Sequence, residues 1–150
     1  GQFRNRGMSG QFMAANRNKR SIALDLKHAE GKAVLRRLIP TADALVSNIR
    51  PAGLGRLGFG YEDCRALNPR IVYAVATGFG QDGPYEGRPG VDQIAQGMGG
   101  LMTITGHPGG GPVRVGIAIN DLTAGILLAN GITLAMLDRE RTGEGQWVHT

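Results

Sequence analysis

The hydrophobic and polar positions of this chain alternate between short apolar runs and segments with helical spacing. Three runs have the length and composition of strands in a buried parallel sheet, at residues 21–26, 43–48 and 71–76. Between them, residues 28–39 have helical spacing and stop at Pro40, and residues 61–67 predict a shorter helix. The alternation of strand and helix predicts an α/β fold, in which right-handed crossovers place helices against a parallel sheet.

The middle of the chain is richer in glycine and proline. A glycine-punctuated turn is predicted after Pro51, and residues 78–90 predict a long loop of the kind that is usually functional or mobile. Residues 92–105 predict a helix that is broken at Gly99-Gly100.

The longest apolar run, residues 122–137, is interrupted by polar residues. It therefore predicts a buried core helix ending near Arg141 and not a membrane span. Residues 145–150 again have the pattern of a strand. Because the chain begins at Gly1 and ends inside that predicted strand, we expect it to be a piece of a longer protein.

The predicted sheet brings several cationic side chains to one edge. In an open parallel sheet, ligands bind outside the carboxyl ends of the strands, which here are residues 24–27, 48–50 and 77–80. Lys27 and Arg50 lie at two of these ends and Arg56 follows shortly after, so the edge suits a phosphate group. Residues 53–58 have the spacing G-x-G-x-x-G but do not directly follow a strand, so this match to a dinucleotide site is weak.

Composition limits the class of protein. The 150 residues are 41% hydrophobic and 19% charged, which suits one globular unit with a core. The 25 glycines and 7 prolines follow no collagen-like period, so they indicate many tight connections. Cys64 is the single cysteine, which fits a reducing compartment, and we expect a cytoplasmic protein. No histidine is near it in sequence, so Cys64 is predicted to be a packed small residue.

The formal net charge of +5 favours a polyanionic partner. The first 20 residues contain five of the cations: Arg4, Arg6, Arg17, Lys19 and Arg20. Such a cluster suits a phosphate-bearing cofactor, a nucleic acid, or simply a solvated basic face. Aromatic residues make up only 5% of the chain and are not interleaved with the basic run, which argues against nucleic acid.

Asp121 is the residue of this sequence that is the strongest candidate for a chemical role. It lies where an irregular segment turns into the predicted helix, so backbone N–H groups and the helix dipole favour a negative charge there. A carboxylate in that place either caps the helix or attacks a carbonyl carbon. The glycine- and proline-rich loop of residues 106–112 before it is either a mobile ligand-binding loop or a plain surface connection. Its position alone favours the cap, and both interpretations, cap and nucleophile, stay open.

An ordered set of motifs in this chain resembles the class III CoA-transferase family, which includes formyl-CoA transferase, carnitine CoA-transferase and α-methylacyl-CoA racemase. The motifs are residues 16–27, 48–51, 56–61, 68–70, 78–85 and 142–146. They cover nearly the whole chain in order, and the set is far more specific than any one motif.

The resemblance implies a Rossmann-like parallel sheet in the large domain of a subunit that interlocks with a second copy as a homodimer. Residues 1–150 would then be part of the CoA-binding large domain, without the opening segment, the smaller second domain and the C-terminal part. It also implies an enzyme that transfers CoA from an acyl-CoA to a small carboxylic acid, with no metal, nucleic acid or membrane involved.

The family's site residues can be carried over one by one. The catalytic carboxylate corresponds to Asp121, in the stretch G-x-x-x-x-D-x-x-x-G of residues 116–125, and would form an aspartyl anhydride. The CoA contacts correspond to Leu24, Asp25, Leu26, Lys27, Asn48, Ile49, Arg50, Arg56, Pro89, Gly90, Val91 and Asp92. Arg50 and Arg56 would bind the CoA phosphates, because a guanidinium fork suits the oxygen geometry.

Two alternatives within this resemblance stay open. The first is an α-methylacyl-CoA racemase, in which the family has a histidine where this chain has Val91, a residue that cannot move a proton. The second is a catalytically silent fragment that binds CoA without chemistry.

Overall fold

A computed structural model of the protein describes residues 4–5 and 7–150; Arg6, one of the early cations, lies outside the described residues. In chain order the elements are β1 (Arg4–Asn5), β2 (Met8–Ser9), α1 (Gly10–Ala15), α2 (Ala29–Leu38), β3 (Ala44–Ser47), α3 (Pro51–Leu57), α4 (Tyr61–Leu67), β4 (Val72–Val75), α5 (Asp92–Met98), α6 (Ile119–Thr142) and β5 (Trp147–His149). Short 3-10 turns follow α2 at Ile39–Thr41 and α5 at Leu101–Ile104.

The centre of the fold is a parallel three-stranded sheet in the order β3-β4-β5. Ala44 pairs with Val72 and Tyr73 pairs with Trp147. The chain is therefore a mixed α/β protein, as predicted, and the parallel pairing of the second and third predicted strands is confirmed. The predicted strand at residues 145–150 is confirmed as β5, whereas β1 and β2 form a separate antiparallel pair.

β4 is buried along its whole length because it has a strand on each side and helices above and below. The core around it consists of Ile39, Leu54, Phe59, Cys64, Ile71, Tyr73 and Val75. The hydroxyl of Tyr73 donates to the carbonyl of Phe59 at 3.0 Å, which satisfies the one polar group that this large side chain buries. The sheet is thus a fixed platform for the loops at its ends.

Residues 51–57 form the helix α3, so the glycine-punctuated turn predicted there is wrong. Two internal glycines each cost roughly 1 kcal/mol relative to alanine in a helix. The side chain of Leu54 is 95% buried in the core, and this packing offsets the low helix propensity. Pro51 begins the helix, and Gly58 ends it with a left-handed φ of 81°.

Residues 21–26 are not a strand, which corrects the first of the three predicted strands. The alternation does describe burial, because Leu24 and Leu26 are half-buried and their neighbours are exposed. No strand within residues 4–5 and 7–150 pairs with this segment, however, and it leads into a turn in which the N–H of His28 donates to the carbonyl of Asp25. A two-residue period predicts which side chains are buried, but a strand also requires a neighbouring backbone.

The long helix α6 forms where it was predicted, but it is not a buried core helix within the described part of the chain. Only Leu128, Ala135 and Arg139 are buried along its 24 residues. Apolar side chains including Ile126 and Leu137 are more than half exposed. By length and composition alone the helix could cross a membrane, a property that core helices of soluble proteins share.

The C-terminal end of α6 is pinned to the beginnings of two strands by Arg139. Its buried guanidinium bonds the Asp43 carboxylate at 2.8 Å and donates to the carbonyl of Arg70 at 3.0 Å. These residues precede β3 and β4, so α6 runs antiparallel to the sheet. Since a helix of 24 residues is about 36 Å long, its N-terminal end reaches the carboxyl edge of the strands.

Candidate functional site

The carboxyl edge of the sheet and the start of α6 come together in the fold. Thr150, directly after β5, contacts the carbonyl of Ala124 in α6 through its hydroxyl at 3.5 Å. Asn48–Arg50 follow β3, and Thr77 follows β4. Asp121, predicted from the helix start, and Arg50, the cation after β3, therefore belong to the same side of the molecule.

Residues 78–90 form a loop whose two ends are in backbone contact. A Cβ atom added to Gly78 would lie 2.7 Å from the nitrogen of Gly90, a separation that real Cβ atoms do not show. Neither glycine has a positive φ, so space alone requires glycine at this crossing. The crossing places Gly90, and with it Val91 and Asp92, directly beside the end of β4.

Arg50 connects this loop with the end of β3. Its Nη1 donates to the carbonyl of Gly87 at 3.4 Å, and the rest of the side chain is exposed. Within the loop, the guanidinium of Arg88 lies 4.4 Å from the ring centre of Tyr85, which orders the loop by a cation–π contact. Two of the four predicted CoA-binding segments, residues 48–50 and 89–92, thus share one edge.

The other two predicted segments are Arg56 and residues 24–27. Arg56 is exposed in the last turn of α3, which begins immediately after Arg50. Residues 24–27 form the turn before α2, in which Leu26 packs against the core and Lys27 extends into solvent. The Asp25 carboxylate accepts a hydrogen bond from the N–H of Lys27 at 2.8 Å and faces His28 at 3.7 Å. Asp25 therefore shapes the turn that presents Lys27.

The N-terminal end of α6 is capped by Asp92, a residue of a different helix. Asp92 Oδ1 accepts hydrogen bonds from the N–H of Asn120 at 2.8 Å and from the N–H of Asp121 at 3.3 Å. These are the amides that an N-cap side chain normally satisfies, whereas the N-cap position itself is Ala118, without a side-chain bond. The capping interpretation of Asp121 is therefore wrong.

The Asp121 carboxylate is exposed in the first turn of α6 and accepts no hydrogen bond from the part of the chain that the structure describes. The backbone of Asp121 is held by the hydrogen bond from its N–H to Asp92, while its side chain is exposed. A carboxylate with a fixed backbone and unshared lone pairs suits a nucleophile better than a structural cap.

Asp92 was predicted as a CoA contact, and the structure places both of its oxygens in internal bonds. Oδ2 accepts from Gln96 Nε2 at 2.6 Å, and the side chain as a whole is buried. Gln96 is fully buried, and it was not among the residues predicted from the sequence. The available signal was the spacing of four residues from Asp92 on a predicted helix, which puts two polar side chains side by side.

Other candidate groups do not join this cluster. Burial, followed by the charge of Asp63, raises the pKa of the Cys64 thiol to about 11, so the thiol stays neutral at pH 7 and behaves as the packed residue predicted. His107 is exposed and lines an open surface depression of about 410 Å³ formed by residues 103–109, 111 and 112. Among residues 4–5 and 7–150, no three His, Cys, Asp or Glu side chains are arranged for a metal ion.

The sequence of this chain is similar to those of known proteins. Residues 1–150 match the family model described as CoA-transferase family III. Succinate–glutarate CoA-transferase of Agrobacterium fabrum is 47% identical over 137 residues, which cover 91% of this chain and 34% of the relative. Acetyl-CoA:oxalate CoA-transferase of Acetobacter aceti is 44% identical over 135 residues, which cover 89% of this chain and 35% of the relative.

The fold has a similar counterpart among solved structures. A CAIB/BAIF family protein from Brucella suis superposes with a TM-score of 0.91 at 39% identity, over 98% of this chain and 39% of that one. The chain thus spans about a third of the length of the curated relatives that it matches.

Proposed function

Because this chain belongs to CoA-transferase family III, we propose that it forms part of an enzyme that transfers CoA from an acyl-CoA thioester to a free carboxylic acid. The observation that carries the proposal is that one carboxylate caps the start of α6 and a different one remains exposed there. Asp92 caps the helix, and the Asp121 carboxylate is left exposed at the carboxyl edge of the sheet. Asp121 is the nucleophile in this proposal.

The chemistry balances with a carboxylate as the only protein group that changes bonds. An Asp121 oxygen attacks the thioester carbonyl carbon, the carbon–sulfur bond breaks, and the CoA thiolate leaves with the electron pair, forming a mixed anhydride. The thiolate then attacks the aspartyl carbonyl carbon, releasing the donor acid as its carboxylate and leaving an aspartyl-CoA thioester.

The second half of the reaction reverses these steps with the acceptor acid. Its carboxylate attacks the aspartyl-CoA thioester and expels the thiolate, which attacks the acceptor's carbonyl in the new anhydride. This step releases the new acyl-CoA and regenerates the Asp121 carboxylate. No oxidant and no metal is needed, and the energy of the thioester bond is kept throughout.

The cations at the carboxyl edge supply the contacts that CoA requires. Arg50 and Arg56 are both exposed and are separated by about two helical turns of α3, so they can approach separate phosphate groups. Lys27 is exposed at the turn before α2. The relatives named above act on succinate, glutarate or oxalate, and we extend the proposal to a short dicarboxylic acid as acceptor.

The exposed apolar side chains of α6 also need a covering surface. A second copy of the intact protein, interlocked with the first, is the partner that the family membership supports, and it is part of this proposal.

The proposed function is tested by assaying the intact protein for two activities, CoA transfer and exchange of the α-proton. With a panel of acyl-CoA thioesters and short dicarboxylic acids, CoA should move to the acid. With a 2-methylacyl-CoA in D₂O, no deuterium should enter the α-carbon, because Val91 supplies neither an acid nor a base. Mass spectrometry of the CoA esters measures both outcomes. Deuterium incorporation at a rate comparable with transfer would instead assign racemase chemistry.

A second prediction concerns the phosphate contacts. Arg56→Ala in the intact protein is expected to raise the KM for acyl-CoA about ten-fold, the scale of one hydrogen bond to a charged group, and to change kcat little. Arg37→Ala is the matched control, because Arg37 is an exposed arginine on α2 outside the predicted site. Steady-state kinetics with varied acyl-CoA gives both constants. An unchanged KM in Arg56→Ala would remove that residue from the site.

A further inference from the structure

We propose that Asp92 and Gln96 form a positioning pair that aims the Asp121 nucleophile, so that Gln96, although it is buried and touches no substrate, controls the rate of CoA transfer. The inference rests on the proposed function and deepens it. It arises from a chain of hydrogen bonds that runs from the loop before α6, through two side chains of α5, to the backbone of Asp121.

The first link is the bond between the pair and the start of α6. Asp92 Oδ1 receives the amides of Asn120 and Asp121, at 2.8 and 3.3 Å. The carbonyl of Asp92 also receives the side-chain amide of Asn120 at 3.5 Å. With its backbone held, a residue in a helix has few allowed χ1 rotamers, so fixing the amide of Asp121 restricts where its carboxylate points.

The second link is the bond between the pair and the loop before α6. Gln96 Oε1 accepts from the N–H of Val115 at 2.8 Å, and Gln96 Nε2 donates to the carbonyl of Ile117 at 3.3 Å. Gly116 lies between these two residues and has no neighbouring group within 4 Å of where a side chain would begin. Gln96 therefore holds the backbone on both sides of Gly116, five residues before Asp121.

The donors and acceptors around Gln96 allow only one orientation of its side-chain amide. An N–H of Val115 can only donate and the carbonyl of Ile117 can only accept, so Gln96 must face them with Oε1 and Nε2 respectively. Nε2 then needs an acceptor at its other hydrogen, and Asp92 Oδ2 provides it at 2.6 Å. Since Gln96 is fully buried, a reversed amide would leave unpaired groups away from water, which costs about 1–3 kcal/mol for each.

The decisive variant is Gln96→Glu in the intact protein. It replaces the Nε2 donor with an oxygen, which removes the bonds to Asp92 and Ile117 and sets a second carboxylate against Asp92. The loop and the start of α6 should shift, and a shift of about 1 Å in a reacting group lowers kcat roughly 100-fold. The KM for acyl-CoA should stay within about two-fold of the parent value, because the phosphate contacts at Arg50 and Arg56 are elsewhere. Gln93→Glu, the same change on the exposed face of α5, should keep the parent kcat.

A double variant separates positioning from general damage to the fold. In Asp92→Asn/Gln96→Glu the donor and the acceptor of the pair are exchanged, so the asparagine side chain donates to the glutamate carboxylate. The asparagine oxygen still accepts the N–H groups of Asn120 and Asp121. The glutamate still accepts the N–H of Val115. Only the bond to Ile117, the longest of the three that Gln96 makes, is lost. The double variant should therefore recover at least ten-fold of the kcat lost in Gln96→Glu, a coupling that independent sites do not show.

Melting temperatures measured beside the kinetics complete the test. If Gln96→Glu does not fold, Gln96→Met is assayed instead, because methionine has a similar volume and lacks the amide. Its kcat should also fall while its KM stays nearly constant. A parent-like kcat in a folded Gln96 variant, or a loss that the double variant does not reverse, overturns the positioning pair. Two further results distinguish failure of the proposed function from failure of this inference. If the parent protein transfers no CoA, the proposed function fails; if Asp121→Asn transfers CoA at near the parent rate, Asp121 is not the nucleophile and the positioning pair has nothing to aim.

Discussion

Asp121→Asn is expected to lower the kcat for CoA transfer by several orders of magnitude, the scale seen when a covalent nucleophile is removed. An amide cannot form the anhydride, so the first chemical step is lost. The melting temperature should stay at the parent value, because Asp121 is exposed and Asp92 caps the helix in its place. Kinetics and thermal unfolding of the intact protein measure the two quantities side by side.

The matched control is Asp138→Asn, the same substitution on an exposed residue near the other end of α6. Among residues 4–5 and 7–150, the Asp138 side chain accepts one hydrogen bond, from Gln146 Nε2 at 3.2 Å, and an asparagine oxygen can also accept it, so activity should persist. Hydroxylamine added during turnover should trap the unmutated protein as a hydroxamate at Asp121, which peptide mass mapping locates. Near-parent transfer by Asp121→Asn would exclude the aspartyl mechanism.

Gly90→Ala is expected to destabilise the protein and to lower its activity, although glycine has no side chain that could contact a substrate. A Cβ at Gly90 would press on the backbone of Gly78, with its carbonyl carbon at 3.2 Å and the α-carbon closer still, and no side-chain rotation can relieve the overlap. Such overpacking costs about 1–3 kcal/mol or more, so the melting temperature of the intact protein should fall by several degrees. Asp92 follows two residues later, and its displacement should lower kcat/KM about 100-fold through Asp121.

Gly87→Ala is the control for this prediction. It lies in the same loop, has a negative φ, and has nothing within 4 Å of an added Cβ. Its carbonyl can still accept the hydrogen bond from Arg50. Melting temperature and kinetics near the parent values are expected for Gly87→Ala, and parent values for Gly90→Ala as well would mean that the loop ends separate at little cost.

The sequence by itself determined the elements whose signals are local. Helix α2 ends at Leu38, shortly before Pro40, and Gly143, with a φ of 79°, ends α6 next to the predicted boundary. The apolar run that became β4 is buried on both faces, so its strand character needed no knowledge of its neighbours. These features depend on residues a few positions apart, which a pattern can display.

Tertiary structure decided the features that depend on what lies alongside. Residues 21–26 have the side-chain pattern of a strand but no backbone partner among the described residues, and α3 is helical because Leu54 reaches the core. Apolar side chains of α6 stay exposed because nothing in the described chain covers them. In each case the local preference is weak, and packing settles the outcome.

The role of Asp121 shows the same division. Its place in the first turn of a helix followed from the sequence, as did its capacity to be either a cap or a nucleophile. What caps that helix was decided by the tertiary structure: the carboxylate of Asp92, 28 residues before Asn120 in the chain, accepts the N–H of Asn120. A hydrogen bond between such distant residues has no local pattern, since it depends on where the folded backbone places its donor and acceptor.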